Sequence, residues 1–187
     1  MTAWVNGLET RRTQRHGAVS RSPAHQRFIN ASTGWRLRLA TNLDPGDPIL
    51  YEILHQHILT TSPDTTKALQ SVRALSKRAL THALSEQAGM MDSLTGLGAA
   101  INVLNDMILT ARPALPGKTD VVELWHGIAQ CQQRYHAIRA DAEREGWWQN
   151  IPEMRRFEIN NHAKFLDDLT RKMHEFLKAK DLLASYQ

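Results

Sequence analysis

Two Glu-x-x-His pairs are the residues best spaced for chemistry, Glu52-Ile53-Leu54-His55 and Glu123-Leu124-Trp125-His126. Residues three apart share a helix face, and two such pairs joined by two further carboxylates hold a di-iron or di-manganese centre inside a helical bundle. Such a centre also needs a single inward Glu on a helix before the first pair, and only Glu9 precedes Glu52. Glu123 has a competing use as a capping-box residue for Asp120. The expectation is therefore structural, with a di-metal carboxylate bundle as the remote alternative. His55 and His57 are two apart and face different ways, His162 falls on a helix seam, and no His-x-x-x-His occurs. No cofactor is expected.

Nucleophilic chemistry is no better served. Cys131 lies on an apolar helical stripe, where thiols are buried and inert, and it has no partner for a disulfide or a thiolate-bound zinc. The serines lack a Gly-x-Ser-x-Gly setting. Gly96-Leu97-Gly98 is a fragment of a phosphate loop with no strand before it and no Gly-Lys-Ser/Thr after it. The chain is expected not to be an enzyme.

The basic residues carry more. Residues 1–43 hold seven arginines against Glu9 alone, a net +6, and no lysine comes before Lys67. The remaining 144 residues hold sixteen basic and eighteen acidic side chains, a net −2, so the overall +4 conceals a basic arm on a near-neutral body. A guanidinium presents a planar fork of donors that matches phosphate oxygens and is weakly hydrated. Arg11, Arg12, Arg15, Arg21, Arg36 and Arg38 are the candidate phosphate contacts. Arg73, Lys77 and Arg78 extend the track on a body helix, and Arg134, Arg139, Arg155 and Arg156 add further positive points. Contacts of this kind sense backbone charge rather than base sequence, so RNA and DNA are both admitted. Trp35 either stacks on a base or anchors the arm, and anchoring is the expectation.

The elements that must position these groups read as helices. Residues 1–43 form the arm and 44–187 a bundle domain, divided at the turn Asp44-Pro45-Gly46-Asp47-Pro48. Within the arm, Ser22-Pro23 starts a short helix over 23–31. The alternation of Trp35-Arg36-Leu37-Arg38-Leu39 argues for a strand, although one and a half helical turns fit it equally. In the body, Asp47-Pro48 starts a helix to Thr60, and Ser62-Pro63 a longer one to Gly89. Met90, Leu94, Leu97, Ile101, Leu104, Ile108 and Ala111 form a seam spaced alternately four and three. Gly96 and Gly98 weaken that helix by roughly 1 kcal/mol each, which implies that a neighbouring backbone comes close. Thr119 or Asp120 caps a fourth body helix ending at Gly146, and Pro152 opens a last one reaching Ala184. Its seam is Ile159, Leu166, Leu169, Met173, Phe176 and Leu183, flanked by Phe165 and Leu177.

The fold class is therefore all-α, an antiparallel bundle of about five body helices with an Arg-rich N-terminal arm. No stretch of about 18 apolar residues occurs and the N-terminus lacks the apolar core of a secretory signal, so a cytoplasmic location is expected and no membrane partner. In size, helicity and basic character the chain resembles the small helical subunits of CRISPR RNA-guided complexes, and less closely the small subunits of phage packaging motors. That resemblance implies a non-catalytic accessory subunit of a nucleoprotein complex, beside other protein subunits or further copies of itself. The alternative is a protein-interaction bundle whose seams and exposed Trp147-Trp148 receive a partner helix.

Overall fold

A computed structural model describes residues 22–110 and 118–183. The chain divides into two compact units, residues 1–35 and 36–187. Six α-helices and one 3-10 turn make up the described residues, with no strand among them: α1 Pro23–Leu43, α2 Pro48–Thr61, α3 Thr65–Ala83, α4 Met90–Thr110, α5 Lys118–Arg144, the turn Trp148–Asn150, and α6 Glu153–Ala179. The protein is an all-α helical bundle. Among the described residues no helix is long and apolar enough to cross a membrane.

The first correction concerns α1. It is one helix over 23–43, so the short helix of 23–31 continues and the helical alternative for 35–39 holds in place of the strand. Ser22 starts it, its hydroxyl accepting from the His25 amide at 3.2 Å. Residues two apart on a helix lie about 200° apart, so the alternation does not gather the apolar side chains on one face. Leu37 packs against the body while Trp35 and Leu39 are exposed.

Within the second unit, local signals set most helix starts. Asp47 caps α2, its Oδ1 accepting from the amides of Ile49 at 2.7 Å and Leu50 at 3.1 Å. The cap of α3 is Asp64 rather than Ser62, accepting from the Lys67 amide at 3.1 Å. That helix stops at Ala83, six residues short of Gly89, because residues 84–89 turn back on themselves through Ser85 N–H to His82 O and Ala88 N–H to Ser85 O. Helix α5 begins at Lys118, so Asp120 sits within its first turn instead of capping it. The loop over 112–117, where two prolines were expected to break the chain, lies outside the described residues.

Helix α6 ends at Ala179 and not at Ala184. Asp181 takes the left-handed conformation (φ 55°), Asp181 N–H donates to Lys178 O and Leu182 N–H to Leu177 O. This is the double hydrogen bond of a Schellman stop. It turns Leu182 and Leu183 back into the core, where both are buried.

Helix α4 is the centre, packing against α2, α3, α5 and α6. Its predicted seam is buried from Met90 to Leu104, Ile108 is half-buried, and Ala111 lies outside the described residues. Leu94, Leu97, Ile101 and Leu104 join Val121, Ile128 and Cys131 of α5 and Ile159, Leu166 and Leu177 of α6. A second face of the same helix, Ala99, Val103 and Met107, enters another cluster with Tyr51, Leu54 and Ile58 of α2 and Val72, Leu75 and Ala79 of α3. A helix covered on two sides is apolar nearly all round. At Gly96 the neighbours of α4 come close: a Cβ there would lie 2.5 Å from Ala83 Cβ and 3.0 Å from Cys131 Sγ. The expected close approach is present, made mainly by side chains, with the Ala79 carbonyl oxygen at 3.6 Å.

Most of the predicted α6 seam faces the core: Ile159, Leu166 and Leu183 are buried and Leu169 and Met173 pack against them, while Phe176 is exposed. Of the two flanking residues Leu177 is buried and Phe165 exposed, and Ala163 and Thr170 are buried in addition.

Candidate nucleic-acid interface

Between Ser22 and Leu43 there is no carboxylate, and the helix carries Arg27, Arg36 and Arg38, all exposed. In the second unit Arg38 and Asn42 are four apart and share a face of α1. Asn42 Oδ1 accepts from Arg78 Nη1 of α3 at 2.5 Å. That bond ties Arg78 of α3 to the end of α1, one turn from Arg38, and Lys77, next to Arg78 in sequence, is exposed as well. Arg73, one turn before Lys77, lies 3.9 Å from Asp120 of α5. Both side chains of that pair are about half exposed, so water and salt screen it and it leaves most of the positive potential in place. Arg36 projects from α1 about 200° away from Arg38 and does not join this group. Arg11, Arg12, Arg15 and Arg21 lie outside the described residues.

Other basic residues are committed to the fold. Arg134 reaches from α5 to the turn after α3, its Nη2 donating to the carbonyls of Ser85 and Ala88. Arg139 stacks on the Trp148 ring with its guanidinium carbon 3.1 Å from the ring centroid, pairs with Glu143 at 2.7 Å and donates to Asn160 at 3.0 Å. Trp148 is 5% exposed, which corrects the expectation of an exposed Trp147-Trp148 pair, and Trp147 alone is partly open. Arg155 only pairs with Glu158 one turn on at 2.9 Å, and both side chains are about half exposed, so that pair is screened like the one at Arg73.

The Glu-x-x-His pairs go to separate work. His55 is buried with its Nε2 2.7 Å from the Asp106 carboxylate of α4, while Glu52 is exposed and accepts from Asn102 Nδ2 at 2.7 Å. Glu123 and His126 are both exposed on α5. Among the described residues no three His, Cys, Asp or Glu side chains converge as a metal site would require. Cys131 is buried, and burial pushes its thiol up to about 11 against the opposing pull of Arg134. The hydroxyl of Tyr51, donating to Ala99 O at 3.3 Å, is also driven upward by burial and then by the carboxylates of Glu52 and Asp106. Burial moves His162 below the ordinary imidazole value although Glu52 opposes it.

Two apolar features are open to solvent. An open groove of about 360 Å³ runs between α4 and α6, lined by Ile101, Ile108, Leu109, Leu169, Met173 and Phe176 among others. On α1, Phe28 is 71% and Trp35 66% exposed. The part of Asn42 was not foreseen, since an amide carries no charge signal. Phe28 was legible as the residue two turns before Trp35, once a single helix replaces the expected strand. Comparison of the chain with models of known protein families, with curated proteins and with solved structures finds no match.

Proposed function

We propose that this chain is a non-catalytic helical accessory subunit of a nucleoprotein complex, contacting the phosphate backbone without base specificity. It would then be a component of the kind represented by the small helical subunit of a CRISPR RNA-guided complex. The observation that carries the reading is the sorting of its basic residues: Arg134 and Arg139 are spent on the fold, while Arg38, Lys77 and Arg78 stay exposed, with Arg78 bonded to Asn42 one turn from Arg38. The net +6 of residues 1–43 adds to that potential. Cations held on a rigid scaffold with few carboxylates nearby attract polyanions and release their counterions.

The test is equilibrium binding of labelled RNA and DNA oligonucleotides across a salt series. Affinity should fall linearly in the logarithm of salt concentration, and each of Arg38→Ala, Lys77→Ala and Arg78→Ala should reduce the slope by about one. Replacing Arg11, Arg12, Arg15 and Arg21 together by Ala should reduce it further. Absence of binding at low salt, or binding indifferent to salt, refutes the proposal. A protein-interaction bundle is the second reading, favoured by the apolar groove between α4 and α6. It predicts a protein that stays bound after nuclease treatment.

A further inference from the structure

We propose that Phe28 and Trp35 form a stacking platform for single-stranded nucleic acid, taking two successive bases between them. The inference rests on the phosphate-contact reading above and adds what it lacks, a reason to prefer unpaired strands. Seven residues on an α-helix make nearly two turns, so the two aromatic side chains leave the same side of α1 with origins about 10.5 Å apart along the axis. Both are largely open to water. The positions between them on that side are Ala31 and Ser32, which are too small to fill the interval. Bases in a nucleic-acid stack are about 3.4 Å apart. Ring, base, base and ring therefore require three intervals, about 10.2 Å, which matches the helical spacing.

Charge selects this occupant over an apolar protein partner. Arg27 precedes Phe28 and Arg36 follows Trp35, and no acidic residue occurs between Glu9 and Asp44. A polyanion gains from every one of those cations, and its bases supply flat apolar faces for the two rings. In a duplex those faces are already covered by neighbouring base pairs, and side chains that only touch phosphate need no aromatic ring. Alternation of aromatic platforms with arginine is the chemistry by which single strands are held without regard to sequence.

The experiment measures binding of the full chain, by fluorescence anisotropy at low salt, to oligothymidine, oligouridine and a duplex of equal length. The wild-type protein should prefer the single strands. Phe28→Ala and Trp35→Ala should each weaken single-strand binding about ten-fold with duplex binding unchanged, and Trp35→Phe should retain most of it. Circular dichroism checks that helicity is intact in each variant. If the alanine variants bind single strands as the wild type does while Arg38→Ala and Lys77→Ala still weaken both forms, the platform is refuted and the phosphate reading stands. Equal wild-type affinity for single strand and duplex also refutes it. If no nucleic acid binds at all, both proposals fall together. Self-association of the wild type without nucleic acid, abolished by Phe28→Ala and Trp35→Ala in sedimentation, would assign the rings to a protein interface instead.

Discussion

Neighbouring residues of one type do different work here, and the difference lies in what surrounds each. Gly96 and Gly98 are two apart on α4, yet a Cβ at Gly96 would meet Ala83 at 2.5 Å while one at Gly98 would meet only Leu166 Cδ2, at 3.6 Å. Gly96→Ala should therefore destabilise by about 1–2 kcal/mol, overpacking outweighing the gain in helix propensity. Gly98→Ala should be neutral or stabilise by up to about 1 kcal/mol. Urea unfolding of the two variants decides the matter, and equal shifts would contradict the packing described. Cys131 makes a second case. With its thiol raised to about 11 and its side chain buried, it should resist iodoacetamide at pH 8 in the folded protein and react readily in denaturant.

Among the elements, the starts of α1 and α2 were legible because a cap is a local device: an acceptor side chain a few atoms from free amides. Asp47→Ala should cost about 1 kcal/mol by removing the acceptor for Ile49 and Leu50, read as a lower urea midpoint with an unchanged slope. Ends were less legible. The stop after Ala179 uses Asp181 in a left-handed conformation, where glycine is the usual signal, and it forms because Leu182 and Leu183 gain burial by turning back. Helix α6 also carries a pH response through His162. Its folded value is lowered, so the unfolded chain takes up the proton first. Its contribution to stability is complete above the unfolded value near 6.5 and is lost as pH falls through the interval below. Replacing His162 with Gln should flatten the stability profile over that interval, measured by thermal unfolding from pH 7.5 to 5.

For the whole molecule, the consequence of the charge pattern is a partition between arginines that hold the fold and those that face solvent. Arg134→Ala and Arg139→Ala should each destabilise by about 1–3 kcal/mol, through stranded carbonyls in one case and lost stacking on Trp148 in the other. Neither should alter the salt slope of nucleic-acid binding at temperatures where the protein is folded. Lys77→Ala should do the reverse, leaving the unfolding midpoint within about 0.5 kcal/mol while lowering the slope.

The sequence alone determined the all-α class, the seam of α4, the buried Cys131 and the asymmetry of charge. Periodicity, capping and composition are properties of short stretches and need no knowledge of neighbours. Tertiary structure decided the remainder. It made Trp35-Arg36-Leu37-Arg38-Leu39 a helix, because Leu37 found a core to enter while Trp35 and Leu39 stayed in water. It left Phe176 of the predicted α6 seam exposed and added Ala163 and Thr170 to the buried face. It also separated Arg134 from Lys77, and no reading of charge along the chain could do that. Whether a guanidinium is structural depends on the carbonyls that residues far away in sequence bring to it.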